Sequence, residues 1–252
     1  MSSNLKLSFL TLPVEIVYHI LDHLEVLQIL FSMRNVSQRV NAIVDTYHRY
    51  QTLNELDLSS ETINSKGIKY LASALQYNTT LTSLIINYQQ ICGPDVQYLA
   101  KALYNETSLT KLNLYNNQIG NLGAQYLAIA LQHNKTLSTL NISSNLISSE
   151  GIIHIADALK RNNTLTTLNL SINKIDSNGA QYLAKVLKHN RNLTALDLSL
   201  NYIGHEGAKS LAKVLKNNTT LTLLNIKYNG LETEGLFYFN KEIKKNPLRV
   251  RF

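Results

Sequence analysis

The sequence predicts an α/β solenoid, in which stacked strand–helix units place a parallel sheet inside the curve and helices outside. Two observations carry this prediction. First, the stretch Leu109–Thr136, LTKLNLYNNQIGNLGAQYLAIALQHNKT, returns every 28 residues. Leu53, Leu81, Leu109, Leu137, Leu165, Leu193 and Leu221 open seven successive units. Leu56, Leu84, Leu112, Leu140, Leu168, Leu196 and Leu224 follow three residues later. A fixed period of this length is the mark of a stacked repeat. Second, the apolar period changes within each unit, from alternation to helical spacing. A third observation concerns the front of the chain: residues 8–52 lack the repeat, so the chain divides into a head at 8–52 and a repeat domain at 53–252.

In LTKLNL the alternation predicts a strand whose Leu112 and Leu114 enter the core, while Lys111, Asn113 and Tyr115 face outward. In Gly123–Leu131 the residues Ala124, Leu127, Ala128, Ala130 and Leu131 fall on one helical face. The small Ala128 and Ala130 allow that helix to lie close to the strands. Gly123, and in phase with it Gly67, Gly151, Gly179, Gly207 and Gly235, sits where the chain turns into the helix, a place for close approach. Asn134, Asn162, Asn190, Asn218 and Asn246 follow the last helical turn, where Asn is expected to adopt the left-handed conformation that ends helices.

This pattern resembles the leucine-rich repeat, specifically its 28-residue ribonuclease-inhibitor type, from Leu53 to about Leu248. The family's Asn stands at Asn117, Asn145, Asn173, Asn201 and Asn229. The resemblance implies that each lies inside the loop and bonds backbone groups of neighbouring turns. Glu61 and Gln89 replace it in the first two units, so an imperfect start to the ladder is expected. Cys92–Pro94 interrupts the second unit and puts Asp95 at the glycine position, where a local distortion is expected.

The head reads as three short helices: one from Pro13 with Ile16, Ile20, Leu21 and Leu24 on one face, a second apolar segment at Leu27–Met33, and a third at Val36–Val44. Thr11 and Glu15 suit a helix start. The opening Leu12, Pro13 and Glu15, then Ile20, Leu21 and Leu24, and later Val36–Arg39 resemble an F-box. Val40 stands where that family often has Trp, and Glu25-Val26 replaces its usual turn. The resemblance implies docking to a Skp-type adaptor, and through it a cullin ligase core, by Leu12, Pro13, Ile16, Ile20, Leu21 and Leu24. The head is also a ready-made cap for the first repeat, as solenoid ends require. Both roles fit together in an F-box/leucine-rich-repeat protein that recognises substrates for an SCF-type ubiquitin ligase. The competing function is a scaffold, or a sensor of the NOD-like-receptor type, with the head as a structural cap.

Composition narrows the classes further. A single cysteine, Cys92, excludes an intramolecular disulfide framework and suits a reducing compartment, so a cytoplasmic or nuclear setting is expected. No apolar run approaches the roughly 20 residues that span a membrane, and LSFLTLPV lacks a cleavage site of signal-peptide type. The Asn-x-Ser/Thr triplets at Asn78, Asn105, Asn134, Asn162 and Asn192 follow from the repeat grammar rather than from glycosylation. Of the seven histidines, His133 and His189 hold equivalent positions near helix ends and neither stands in metal-ligand spacing with Cys92, and the glycines mark repeat phase rather than a phosphate loop. No catalytic group, cofactor or metal is therefore expected. The net charge of +7 lies in the repeats, because residues 1–52 carry four basic and four acidic residues. Lys185, Lys188, Arg191, Lys209, Lys213 and Lys216 gather on the late helices; they read as a solvated face, without the aromatic interleaving of a nucleic-acid binder.

The binding surface is expected on the concave strand face. Most outward positions there are small and neutral, which leaves Tyr88, Lys111, Tyr115, Tyr202, Lys227 and Tyr228 as candidate contacts for an unidentified protein. Packing within the ladder is an equal reading for each tyrosine. Tyr70, Tyr98, Tyr126 and Tyr182 form a second column, expected to fill between helices. At the C-terminus, Leu248, Val250 and Phe252 alternate with Arg249 and Arg251, predicting a closing strand that covers unit seven, with a basic tail as the alternative.

Overall fold

The computed structural model describes residues 54–59, 63–76, 78–104, 108–231, 233–243 and 249–251. The predicted head, with Leu12, Pro13, Ile16, Ile20, Leu21 and Leu24, lies outside the described residues, as do Glu61, Leu248 and Phe252. The chain alternates strand and helix: β1 Glu55–Asp57, α1 Ser65–Leu75, β2 Ser83–Ile85, α2 Gly93–Tyr104, β3 Lys111–Asn113, α3 Gly120–His133 and β4 Thr139–Asn141. It continues with α4 Ser149–Leu159, β5 Thr167–Asn169, α5 Ser177–Leu187, β6 Ala195–Asp197, α6 Gly204–Leu215, β7 Leu223–Asn225, α7 Thr233–Ile243 and β8 Arg249–Arg251.

The strands form one parallel sheet in chain order, β1 to β8. From β1 to β7, every pair is in register at an offset of 28, as in Leu112 opposite Leu140 opposite Leu168. The middle residue of each of these strands points into the core, because side chains alternate across a strand and only one face has helices against it. Parallel strands lie roughly 4.8 Å apart whereas packed helices need about 8–10 Å. The stack therefore bends with the sheet on its concave side, and parallel β–α–β crossovers make it right-handed. At the end, β8 pairs with β7 and sets Val250 opposite Leu224, the register of a core position. The closing strand thus forms at the predicted place.

Two buried columns of asparagine hold neighbouring tiers together. In the first, Asn173 donates from Nδ2 to the carbonyls of Ile142 (3.1 Å), Leu170 (3.0 Å) and Ser171 (3.2 Å). Its Oδ1 accepts from the N–H groups of Asn145 (3.1 Å) and Ile147 (3.0 Å). Asn117, Asn145, Asn201 and Asn229 are likewise buried and bonded across tiers. The column does not start with a gap at unit two. Gln89, one methylene longer, donates to Leu58 and Asn87 carbonyls and accepts from Ile63 N–H at 2.9 Å.

The second column corrects an expectation. Asn134 ends α3 in an extended conformation (φ −63°, ψ 132°), not a left-handed one. Its side chain is buried: Nδ2 donates to Leu103 O at 2.8 Å, and Oδ1 accepts from Thr136 N and Leu137 N. Asn162, Asn190 and Asn218 make the same bond to the carbonyl 31 residues back. An amide is selected here for its paired donor and acceptor, not for backbone tolerance. Buried Asn78, Asn134 and Asn162 are also closed to glycosylation in the folded chain.

Unit two is regular as well. Asp95 reaches back to accept from Cys92 N (3.1 Å) and Cys92 Sγ (3.0 Å), which caps α2 and replaces the expected distortion. Burial pushes its carboxyl up, but hydrogen bonds from the Cys92 thiol, the Ser65 hydroxyl and the Cys92 N–H outweigh this and hold it below the usual range. The same bond to the carboxylate is the main cause that raises the Cys92 thiol. Close approach at the glycine position is severe elsewhere: a Cβ on Gly123 would stand 2.4 Å from Ile119 Cγ2 and 3.2 Å from Val96 Cγ2.

Candidate protein-interaction surface

After each of β2 to β7 the chain passes an inward amide, the half-buried Gln89 in unit two and a buried Asn in the others, and the residues on either side of it are turned outward. The residue before it is Tyr88, Asn116, Ser144, Ile172, Leu200 or Tyr228, and all six have φ between 53° and 61°. The residue after it is Gln90, Gln118, Leu146, Lys174, Tyr202 or Gly230. The reversal is imposed by the amide, which must point into the loop to bond the tier behind. Left-handed backbone costs a residue with a Cβ about 1–2 kcal/mol, and Asn or Gly bears it best. Ile172, β-branched, and Leu200 are poor choices for such a backbone.

These positions build a rim along the C-terminal ends of the strands, polar at Asn116 and Gln118 and mainly apolar from Leu146 onward, with Lys174 set among the apolar residues. Leu146, Ile172, Leu200, Tyr202 and Tyr228 are all exposed, Tyr228 at 74%. With Lys174 they line a shallow depression of about 370 Å³, floored by the buried Asn173 and Asn201. Its backbone is pinned by a second set of tier-to-tier bonds, Lys174 N to Ile147 O and Tyr202 N to Ile175 O, both 2.8 Å. The rim is therefore preformed rather than a floppy loop edge.

The structure divides the six concave-face candidates into groups. Tyr88 and Tyr115 meet edge-to-face with centroids 5.2 Å apart in units two and three. Their hydrogen bond is the main cause that pushes the Tyr88 phenol up. Lys111 is exposed at the first position of β3, on the same side of the sheet. Tyr202 and Tyr228 line the rim depression, and Lys227, half-buried, precedes Tyr228. Leu146, Ile172, Lys174 and Leu200 complete that depression and were not among the predicted contacts. For Leu146, Ile172 and Leu200 the signal in the sequence is an apolar residue at a position that unit three fills with Asn116 or Gln118.

The central strand face offers less. Asn113, Asn141, Asn169 and Asp197 spend Oδ1 on the backbone N–H two residues on. Asp197 Oδ2 also accepts from Asn225. On the helix side, the basic residues have local structural work. Lys185 lies over the Tyr182 ring at 4.8 Å, Arg191 donates to the carbonyls of Lys188 and Asn190 beyond α5, and Lys216 pairs with Glu242 at 3.2 Å. Tyr126 packs on the core as expected of helix filler, whereas Tyr98 and Tyr182 keep about 40% of their surface, 39% and 40%. Among the described residues no His, Cys, Asp or Glu group is arranged to hold a metal, and no helix is long and apolar enough to cross a membrane.

Comparison with known proteins places both parts of the chain. Residues 9–52 match the F-box domain, residues 85–174 match the TMOD/LMOD leucine-rich domain, and residues 189–212 and 217–239 match the Leucine Rich repeat. No curated protein matched the chain. Among solved structures, "Leiomodin-1 Actin-Binding Site 2 (ABS2)" is similar at 27% identity and a TM-score of 0.48, covering 54% of this chain and 79% of that one. Both matched modules serve to bind other proteins. With an F-box match ahead of a repeat array that stacks in 28-residue register, the chain is an F-box/leucine-rich-repeat protein.

Proposed function

We propose that the chain is the substrate-recognition subunit of an SCF-type ubiquitin ligase, working in the cytoplasm or nucleus. The observation that carries this reading is the F-box match at residues 9–52, immediately ahead of the solenoid. Leu12, Pro13, Ile16, Ile20, Leu21 and Leu24 dock a Skp-type adaptor, which joins the chain to a cullin core. The repeats hold a protein substrate beside a ubiquitin-charged enzyme. Catalysis is then by proximity supplied in trans, raising the effective concentration of the substrate lysine at the ubiquitin thioester. The chain itself performs no chemistry and needs no cofactor.

The test is reconstitution from purified full-length chain and a Skp-type adaptor. A stoichiometric complex that is lost when Leu12 and Pro13 are both replaced by alanine is the expected result. Absence of a complex at micromolar concentrations sinks the ligase reading and leaves a scaffold or sensor with a helical cap.

A further inference from the structure

Ile172 and Leu200 occupy left-handed backbone at φ 55° and 56° while exposed at 41% and 46%. Folding gains from neither property. Asn or Gly relaxes the backbone and suits water better, and Asn116 shows that the position accepts Asn. Exposed apolar groups gathered on a rigid backbone mark a contact surface, and strained backbone concentrates at working sites. Charge at this rim is one-sided. In units four to seven, the residues flanking the buried Asn, together with the one before them, include Lys174 and Lys227 and no acid. Neither ammonium has an ion-pair partner among the described residues. The nearby Asp176 is committed to Ser149 and the α5 N-terminus, and Asp197 to Ser199 and Asn225.

We infer that this rim binds an acidic amphipathic helix of a partner protein, with Ile172, Leu200, Tyr202 and Tyr228 taking its apolar stripe and Lys174 and Lys227 its carboxylates. The inference rests on the reading of the repeats as the part that holds the substrate. Pitch favours a helix over an extended strand. Successive tiers at the strand edge repeat at roughly 4.8 Å, close to the 5.4 Å rise of one helical turn. Apolar residues at i, i+3 or i+4 and i+7 therefore meet successive tiers, whereas same-face residues of an extended chain recur at about 6.8 Å and fall out of step. The preformed backbone limits the ordering cost on association.

The experiment selects a displayed library of random 16-residue peptides on immobilised full-length chain. Enriched peptides are expected to carry helical apolar spacing with an excess of Asp and Glu. Their affinity should fall at least tenfold on Lys174→Glu and at least tenfold on the pair Ile172→Asn and Leu200→Asn. That pair should melt no lower than the parent chain, since Asn suits the left-handed backbone, and should still bind the Skp-type adaptor. No enrichment, enrichment of basic or unpatterned peptides, or equal binding to the paired variant overturns the inference; so does a lower melting temperature, which makes the two residues structural. Adaptor binding without acidic helices ends this inference and leaves the ligase reading standing. Selected acidic helices without adaptor binding do the reverse.

Discussion

Replacing Asn173 by alanine removes the side chain on which three buried backbone groups depend. Asn145 N and Ile147 N have its Oδ1 as their acceptor, and Ile142 O receives its Nδ2. The other carbonyls it meets are supplied twice: Leu170 O also accepts from Asn201 Nδ2 and Ser171 O from Ser144 N. Three orphaned groups at about 1–3 kcal/mol each give a loss of roughly 3–9 kcal/mol, the lower half applying if water enters the vacated loop. Asn169→Ala is the control. That side chain accepts one bond, from Ser171 N at 2.9 Å, on the outward face, so its loss should cost about 0.5–1.5 kcal/mol. Urea unfolding followed by circular dichroism measures both. Asn173→Asp refines the test, because it keeps the acceptor and turns the donor into a charge facing carbonyl oxygens. Burial and those carbonyls raise the folded-state pKa of the new carboxyl, so the folded chain binds the proton more tightly than the unfolded one. The sign follows: this variant gains stability as pH falls toward 5, where its protonated oxygen donates again. Equal losses at Asn173 and Asn169, or stability of the Asp variant that rises with pH above neutrality, would refute the reasoning.

Leu140 is fully buried, and Leu140→Ala should cost about 2–5 kcal/mol in the same assay, against less than about 0.5 kcal/mol for the outward Thr139→Ala. Gly123→Ala should lower the melting temperature despite the better helix propensity of alanine, since the new Cβ meets the branched Cγ2 of Ile119 at 2.4 Å; a rise would show that the Ile119 side chain has room to turn aside. The Ser149 hydroxyl is the chief cause that holds the Asp176 carboxyl below its ordinary value, so its contribution is present above the unfolded value of about 3.9 and lost as pH falls through the folded one. Asp176→Asn should therefore lose less melting temperature than the parent between about pH 5 and pH 2, and parallel curves would contradict the bond. Deleting residues 248–252 should lower thermal stability or promote aggregation, because it uncovers the edge of β7; unchanged melting and solubility would assign the tail to binding instead.

The strand phase was legible because one face of each strand is buried, which writes an alternation that returns at each period. The first Asn column was legible through family resemblance, and its ability to survive Gln89 follows from side-chain reach. The role of the second column was not. Asn134 bonds a carbonyl 31 residues earlier, and nothing beside Asn134 in the sequence names that partner. The same limit applies to Asp95, whose capping bond to Cys92 depends on how the loop before α2 is turned. The apolar rim escaped notice for a different reason. Alternation ends with the strand, and side-chain direction beyond it is set by the left-handed residue that the buried amide enforces. Tyr202 and Tyr228 stand out in the sequence as aromatics, whereas nothing in the strand alternation marks Ile172 and Leu200 as turned outward.

Because each tier offers the same bonds fore and aft, the array has no privileged length. Excising Leu137–Thr164, one whole period of 28, would bring Leu165 to the place of Leu137 with the register, both amide columns and the helix seam intact. Removing 27 residues would turn every later side chain to the wrong face. Gene-level gain or loss of whole units is thus nearly silent in the core, yet it shifts which rim residues stand side by side. The distance between β1 and the apolar stretch would change by one tier at a time, so reach along the array is adjustable in discrete steps while the architecture stays untouched.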